Sequence, residues 1–258
     1  MAKLNYNIHG EGQPLIVLHG LFGSSRNWNT VAKELARDRQ VIAVDLRNHG
    51  DSEHTETMTW INMVEDIDTL MTELGIASAA LLGHSMGGKA AMAFALSLPQ
   101  KTDALIVADI APVAYEPVHI ELIDAMLSLP LDEIHNRAEA EQHLLDAGVA
   151  DSMVRQFLLS NLTRSNGSYV WRLNLPVLRE SMPDMAGFPE DWPAAPYEGP
   201  ARFLAGGESD YILPKHYQVI SRLFPRATVH TIEGVGHWLH AEKPEAFVSE
   251  VRDFLNQT

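Results

Sequence analysis

The sequence predicts an α/β protein in which a mostly parallel sheet is flanked by helices, with a helical cap inserted into the chain. Three observations predict this fold class. Short apolar runs alternate with stretches that carry apolar residues at three-to-four spacing. The runs are apolar on both faces, which is typical of parallel strands covered by helices on two sides. The alternation then breaks after Pro112, and the chain becomes mainly helical as far as Pro196.

Six apolar runs, each rich in Val, Ile and Leu, are predicted to be the core strands. In chain order they are Pro14 to Leu18, Val41 to Val44, Ala79 to Leu82, Ala104 to Ala108, Arg202 to Ala205 and Ala227 to Ile232. Five further stretches are predicted to be helices. They are Val31 to Arg37, Trp60 to Leu74, Met86 to Leu98, Lys215 to Leu223 and Pro244 to Leu255. Pro214 and Pro244 suit helix starts, because the first helical N–H has no partner to lose.

The segment 113–196 is predicted to be the cap, inserted between two core strands. It carries several helical patterns and a turn at Ser165-Asn166-Gly167, and prolines crowd its return to the core. The core of the fold then comprises residues 1–112 and 197–258. We expect the cap to lie over the C-terminal edge of the sheet, where ligands bind in open α/β sheets.

Composition excludes several classes of protein. The 258 residues suit one α/β domain with an insertion. Lys plus Arg number 19 against 34 Asp plus Glu, and a net charge of −15 repels phosphate backbones and anionic lipid headgroups. With no Cys there is no disulfide, thiolate metal site or cysteine nucleophile. We expect a cytoplasmic protein with a small-molecule substrate, no nucleic-acid partner, no membrane insertion, no metal and no cofactor, and its oligomeric state stays open.

The sharpest motif is Gly83-His84-Ser85-Met86-Gly87, a G-x-S-x-G between a predicted strand and a predicted helix. A tight strand-to-helix turn needs glycine on either side, because a Cβ would clash there, and it raises the serine Oγ above the sheet. The helix N-terminus favours negative charge that develops beside the serine. This context predicts that Ser85 is a nucleophile rather than an ordinary residue of a glycine-rich turn.

The same residues also satisfy the beginning of a phosphate-binding loop. Gly83 to Lys89 fit G-x-x-x-x-G-K, but Ala90 stands where that motif requires a Ser or Thr hydroxyl for Mg²⁺. The loop also lies far from the first strand of an acidic chain. The nucleophile is therefore the favoured interpretation, and the nucleotide site is the minor one.

A nucleophilic serine needs a base, because its hydroxyl is protonated at neutral pH. Among the 12 His, His237 lies in the glycine-rich loop Gly234 to Trp238, between the last predicted strand and the last predicted helix. It follows Ser85 in the chain, as the order Ser, Asp, His requires. His240 is the competing candidate, and the paired glycines favour His237.

Two aspartates fit the position of the carboxylate that orients the histidine. Asp210 follows the fifth predicted strand and Asp109 follows the fourth, and both lie between Ser85 and His237 in the chain. Asp210 is favoured, because a carboxylate one strand away from the histidine strand reaches the imidazole Nδ1–H more easily. Asp109 stays open as the alternative.

The loop His19 to Ser24 follows the first predicted strand and is expected to face the nucleophile. Its backbone N–H groups, with that of the residue after the serine, are expected to bind the oxyanion of a tetrahedral intermediate. The predicted donors are Leu21, or Phe22 if the loop is shifted, and Met86. The residues expected to line the substrate pocket are Phe22, Tyr115, Met126, Trp171 and Trp192.

The chain resembles the α/β-hydrolase family at His19-Gly20, Asp45 to Ser52, Gly83 to Lys89 and Gly236-His237. Within that family it is most similar to the YbfF-type bacterial esterases, through Gly20 to Ser24, Ser85 to Lys89 and Asp109 to Val113. The resemblance spans nearly the whole chain and is weakest in the cap. It implies serine esterase activity on short acyl esters, with Ser85 as nucleophile and His237 as base. It also implies an acid at Asp109 with Ser209 nearby, whereas Asp210 stands at the more usual place.

The predicted function is therefore that of a carboxylic ester hydrolase that cleaves short-to-medium acyl esters through an acyl-enzyme. Thioesterases, amidases and C–C bond hydrolases share the fold and are the alternatives. A non-catalytic small-molecule binding protein is the alternative from another class, and such a protein needs no nucleophile, base or acid. The sequence suggests no chemical role for Arg47 to Ser52 or for Lys89. Loop structure and solvation of a helix end are the favoured interpretations of these residues.

Overall fold

The computed structural model describes residues 1–188 and 195–258, and among these residues seven strands form one sheet in the order β1-β3-β2-β4-β5-β8-β9. The strands are β1 (Asn5–His9), β2 (Pro14–Leu18), β3 (Gln40–Asp45), β4 (Ala79–His84), β5 (Thr102–Ala108), β6 (Leu162–Ser165), β7 (Ser168–Trp171), β8 (Ala201–Gly206) and β9 (Ala227–Ile232). All neighbours in the large sheet are parallel except β1, which runs antiparallel to β3. Strands β6 and β7 form a separate hairpin.

The helices lie on both faces of this sheet and in the inserted segment. They are α1 (Asn29–Leu35), α2 (Trp60–Glu73), α3 (Met86–Ser97), α4 (Ile120–Leu127), α5 (Arg137–Asp146), α6 (Ser152–Leu159), α7 (Leu175–Ala186), α8 (Tyr217–Leu223), α9 (Leu239–Glu242) and α10 (Pro244–Leu255). In the described part of the chain, none of them is long and apolar enough to cross a membrane.

The predicted fold class is confirmed, and all six predicted strands are present. The edge strand β1 was not predicted, because its sequence Asn-Tyr-Asn-Ile-His is mostly polar and its side chains are largely exposed. It is held by antiparallel pairing with β3, in which Asn5 lies opposite Asp45. A polar strand at an edge has no apolar periodicity to reveal it.

Two hydrophobic clusters, one on each face of the sheet, explain the continuous apolar runs. In β2 the side chains of Ile16 and Leu18 join the cluster on the α2 and α3 side. Those of Leu15 and Val17 join the cluster on the α1 and α10 side. Both faces are therefore buried, so the strand contains no polar alternation. Helix α3 is buried on all sides from Met86 onwards, between the sheet and the inserted segment.

The inserted segment leaves the sheet after β5 and returns at β8, and it contains α4 to α7 and the β6–β7 hairpin. Side-chain amides attach it to loops of the sheet. The Asn161 amide donates to the backbone oxygen of Phe22 at 2.8 Å, and the Asn174 amide donates to the side chain of Asn48 at 3.1 Å. These contacts fix the segment above the C-terminal edge of the sheet.

The loop after β3 is organised by a buried ion pair. The Arg47 guanidinium donates to both carboxylate oxygens of Asp66, at 2.6 and 2.8 Å, and to the backbone oxygen of Thr57 at 2.8 Å. Both side chains are almost fully buried. The Asp45 carboxylate accepts the backbone N–H groups of Ser25 and Asp51. Asp45 and Arg47 therefore shape the loop after β3, in agreement with the structural role expected from the sequence.

Candidate active site

Ser85 occupies the tight turn between β4 and α3. Its φ of 52° lies in the left-handed region, where non-glycine residues are strained. A Cβ on Gly83 would overlap the backbone oxygen of Gly87, and a Cβ on Gly87 would overlap the backbone oxygen of Leu18. The two glycines of the motif are therefore required by close packing of backbone against backbone. The turn presents the serine at the C-terminal edge of the sheet, as predicted.

Replacing Gly83 by alanine is expected to lower the free energy of unfolding by about 3 kcal/mol or to prevent folding, because two backbone segments must move apart. Urea unfolding followed by circular dichroism measures the change. Gly236→Ala is the matched control, since the nearest atom to its added Cβ is the Glu242 side chain at 3.4 Å. Equal stability of the two variants would contradict the packing requirement.

His237 is held by a buried carboxylate, and that carboxylate belongs to Asp109. The imidazole Nδ1 lies 2.8 Å from Asp109 Oδ2, and the Asp109 side chain is fully buried. Since a carboxylate only accepts hydrogen bonds, Nδ1 carries the proton and Nε2 is left free to accept one. The other Asp109 oxygen accepts the Gly206 N–H at 3.0 Å, and the Ser209 hydroxyl donates to Oδ2.

The expectation that Asp210 contacts the histidine is wrong in this structure. Asp210 is exposed, whereas Asp109 follows β5 directly and turns into the site with a φ of 51°. Strand β8 does lie beside β9, but Asp210 comes several residues beyond the end of β8, and its side chain faces solvent. Adjacent strands alone do not determine side-chain direction. Ser209 lies beside the acid, as the resemblance implied.

A second histidine lies directly beside His237. The His84 Nε2 donates to the backbone oxygen of His237 at 2.8 Å, and the two ring centroids are 4.7 Å apart. His240, the competing candidate for the base, is buried and stacks on Trp28 with ring centroids 4.4 Å apart. Its Nδ1 has no hydrogen-bond partner among the described residues. The contact with Asp109 therefore distinguishes His237 from His240.

Burial keeps several of these imidazoles neutral. Desolvation, and next the neighbouring His19, lower the pKa of His49 from 6.5 to about 3. Desolvation, and next His237, lower the pKa of His240 to about 3. Burial and the neighbouring histidines also hold the pKa of His84 well below 6.5. His84 and His240, which neighbour His237, are therefore uncharged at neutral pH.

The buried histidines predict acid sensitivity. Between pH 6.5 and about 3 the unfolded chain binds protons at His49 and His240 that the folded chain does not, so stability falls as pH falls. We expect urea unfolding to show a loss of about 2 kcal/mol per such histidine between pH 7 and pH 5. His240→Phe should flatten this dependence, while His143→Gln, on the exposed side of α5, should not. A flat profile for the unmodified chain would contradict this account.

The predicted oxyanion donors lie beside the serine. A Cβ on Gly20 would come within 3.3 Å of the Ser85 Cβ, so the loop after β2 passes close to the nucleophile turn. Within the described ranges, the N–H groups of Leu21 and Phe22 donate to no protein acceptor. Met86 is the first residue of α3, so its N–H has no partner inside the helix. Phe22 adopts a φ of 61° at the turn of this loop.

A cavity of about 290 Å³ opens beside Ser85 and His237. Of the predicted pocket residues, Phe22 lines this cavity, and Tyr115 lines a smaller one on the other side of Ser85. Met126 is fully buried in packing within the cap. Trp171 lies in the β6–β7 hairpin and donates its Nε1–H to the Met126 backbone oxygen at 3.2 Å. Trp192 lies outside the described residues.

Several lining residues were not predicted from the sequence. Tyr211 stacks on His237 with ring centroids 4.1 Å apart and borders both cavities. His119 precedes α4 and also borders both. Phe157 and Trp238 both line the larger cavity and contact each other, with ring centroids 5.8 Å apart. Tyr211 follows the Gly206 to Asp210 loop immediately, and that proximity was the available signal.

Over residues 1–188 and 195–258, no group of three or more His, Cys, Asp or Glu side chains is arranged to hold a metal ion. His19, beside Gly20, uses both ring nitrogens on protein groups. It accepts the Leu46 N–H at Nε2 and contacts the Gly20 backbone oxygen through Nδ1.

A parallel sheet covered on both faces, with a strained serine turn at its C-terminal edge, defines the α/β hydrolases as a class. A family model described as alpha/beta hydrolase fold matches residues 13–244. The chain belongs to this family, as its resemblance predicted.

Three relatives illustrate the relationship. The sn-1-specific diacylglycerol lipase ABHD11 of Mus musculus is 41% identical over 262 residues, which cover 98% of this chain and 85% of that protein. Esterase YbfF of Escherichia coli (strain K12) is 37% identical over 260 residues, which cover 99% and 97%. A solved structure of a marine microorganism esterase superposes with a TM-score of 0.95 at 38% identity, covering 98% of this chain and 100% of that one. The predicted similarity to YbfF-type esterases is confirmed.

Proposed function

We propose that this protein is a serine carboxylesterase that hydrolyses short-to-medium acyl esters through an acyl-enzyme intermediate. The observation that carries the proposal is the hydrogen bond from His237 Nδ1 to Asp109, beside the cavity that Ser85 also lines. This bond leaves Nε2 as the proton acceptor on the cavity side. Relatives named as esterases and as a diacylglycerol lipase support ester hydrolysis as the reaction class.

In the proposed mechanism, Ser85 Oγ attacks the ester carbonyl carbon while His237 Nε2 takes its proton. Asp109 fixes the imidazole tautomer and stabilises the charged ring. The N–H groups of Leu21 and Met86 stabilise the oxyanion. His237 then protonates the leaving alcohol, and the acyl-enzyme remains. Water, activated by His237, releases the acid and restores Ser85.

Labelling with a fluorophosphonate tests this proposal most directly. The reagent should modify Ser85 in a single stoichiometric event, detected by mass spectrometry, and should abolish turnover of p-nitrophenyl acetate at the same rate. A non-catalytic binding protein on this fold would remain unlabelled. Labelling without ester turnover would favour an amidase, thioesterase or C–C bond hydrolase, and a matched thioester and anilide distinguish the first two.

Dialysis against EDTA should leave turnover unchanged. The proposed mechanism takes its nucleophile, base and oxyanion donors from the chain itself, so no step calls for a bound metal ion. Initial rates before and after dialysis, with a parallel sample dialysed against buffer, provide the measurement. If activity is lost and zinc or manganese restores it, a metal-activated water replaces the serine mechanism. The cytoplasmic location and the substrate's identity as a small-molecule ester stay predictions.

A further inference from the structure

Two compartments of unequal size meet at Ser85. The larger has a volume of about 290 Å³ and the smaller about 50 Å³. The wall between them is formed by Leu21, Ser85, His119 and Tyr211, which border both.

The position of His237 decides which part of an ester each compartment receives. His237 borders the larger compartment, whereas Met86, a proposed oxyanion donor, borders the smaller one. When the bond between the carbonyl carbon and the leaving oxygen breaks, that oxygen takes the proton from His237 Nε2 and must lie within its reach. The alcohol therefore departs from the larger compartment. The acyl substituent, still bonded through its carbonyl carbon to Ser85 Oγ, points into the smaller one.

The smaller compartment has walls that are held in place. Met182 and Met185, both buried on α7, close it from the cap side. Lys89 on α3 donates its ammonium N–H groups to the backbone oxygens of Ala186 and Gly187, at 2.7 and 2.9 Å. The end of α7 is thereby attached to the helix that carries the nucleophile. Retraction of this wall for a longer acyl chain would break both of these part-buried hydrogen bonds of Lys89.

We propose that the substrates are esters of a small acyl group with a large, mainly apolar alcohol, an inference that rests on the proposed esterase function. Apolar side chains supply most of the larger compartment, among them Leu122, Val154, Phe157 and Leu158. The limited space beside Met182 favours small acyl groups. The larger compartment beneath the cap accepts large alcohol groups.

Two isomeric esters test the assignment. Hexyl acetate and ethyl hexanoate have the same composition and nearly the same polarity, but they exchange the long and short sides of the ester bond. We expect kcat/KM for hexyl acetate to exceed that for ethyl hexanoate by about tenfold or more, because each methylene without room carries a penalty. Equal values, or a preference for ethyl hexanoate, overturn the assignment.

Two matched variants test which compartment limits the length of the acyl chain. Met182→Ala enlarges the smaller compartment and should raise kcat/KM for ethyl hexanoate relative to hexyl acetate by about tenfold. Leu122→Ala enlarges only the larger compartment and should leave the ratio between ethyl hexanoate and ethyl acetate unchanged. If Leu122→Ala admits the long acyl chain and folded Met182→Ala does not, the two compartments have the opposite roles. Circular dichroism establishes that each variant is folded.

Failure of the esterase proposal has a different signature from failure of this assignment. In the first case neither isomer is hydrolysed, whether or not the fluorophosphonate labels Ser85. In the second case Ser85 is labelled and both isomers are hydrolysed, but ethyl hexanoate is used as well as hexyl acetate or better. The isomer pair, read together with the labelling, therefore tests the substrate class separately from the reaction.

Discussion

Replacement of Ser85 by alanine should lower kcat for ester hydrolysis by on the order of 10⁴-fold or more, with the fold intact. The variant lacks the oxygen that forms the acyl-enzyme, whereas its side chain lines a cavity and fills no core position. Initial rates with p-nitrophenyl acetate measure the loss, and circular dichroism establishes the fold. A variant that keeps more than a few per cent of the activity would contradict the nucleophile assignment.

The double variant Ser85→Ala with His237→Ala tests whether the two side chains act in the same step. Residues of a nucleophile and base pair act as one unit, so the two losses should not multiply. We expect the double variant to be scarcely slower than either single variant. Multiplicative losses would indicate that the two side chains act in separate steps, and the proposed proton transfer between them would have to be abandoned.

Asp109→Asn should lower kcat by about 10⁴-fold, because an amide in this position favours the wrong imidazole tautomer. The structure gives this carboxylate the Nδ1 of His237 and the hydroxyl of Ser209 as partners. Steady-state kinetics with p-nitrophenyl acetate measure kcat, and thermal melting measures stability separately. A variant that melts earlier but retains its kcat would mean that Asp109 only supports the loops.

Asp210→Asn is the matched comparison, with the same chemical change at an exposed position next to Ser209. Its kcat should stay within a factor of about three, since surface substitutions rarely change local geometry. This order of effects reverses the one that strand adjacency predicts. If Asp210→Asn proves the more damaging change, the orienting carboxylate moves to Asp210, and the contact between Asp109 and His237 is structural.

The positions of Ser85 in a tight turn and of His237 in a loop were predictable because their signals are local. Gly83 and Gly87 mark a turn in which backbone approaches backbone, so the geometry of Ser85 is encoded within five residues. His237 likewise stands in its own glycine-rich loop between a strand and a helix. His237 also follows Ser85 in the chain, as the order Ser, Asp, His requires. Steric requirements of this kind are visible in a sequence without knowledge of the fold.

The contact between Asp109 and His237 was not predictable in the same way. The direction of the Asp109 side chain depends on its φ of 51° and on hydrogen bonds from Gly206 and Ser209, which lie at and beyond the end of another strand. Only the assembled sheet brings these groups together. The lining of the pocket presents the same difficulty, because composition suggested Met126 and Trp171, whereas His119 and Tyr211 line the cavities beside Ser85. Side-chain direction in long-range contacts is not encoded by local pattern.

The hydrogen bond from the Asn161 side-chain amide of the cap to the loop after β2 limits how the cap of this enzyme could be exchanged. Asn161 holds the backbone oxygen of Phe22, and Phe22 belongs to the same short loop as Leu21. A cap taken from another member of the family would cover the cavity with its own residues. The loop after β2 would lose its hydrogen bond to the cap unless the new cap also placed a side-chain amide at this point. The cap and the loop after β2 thus form one structural unit. A cap exchange therefore has to include this loop in the exchanged segment.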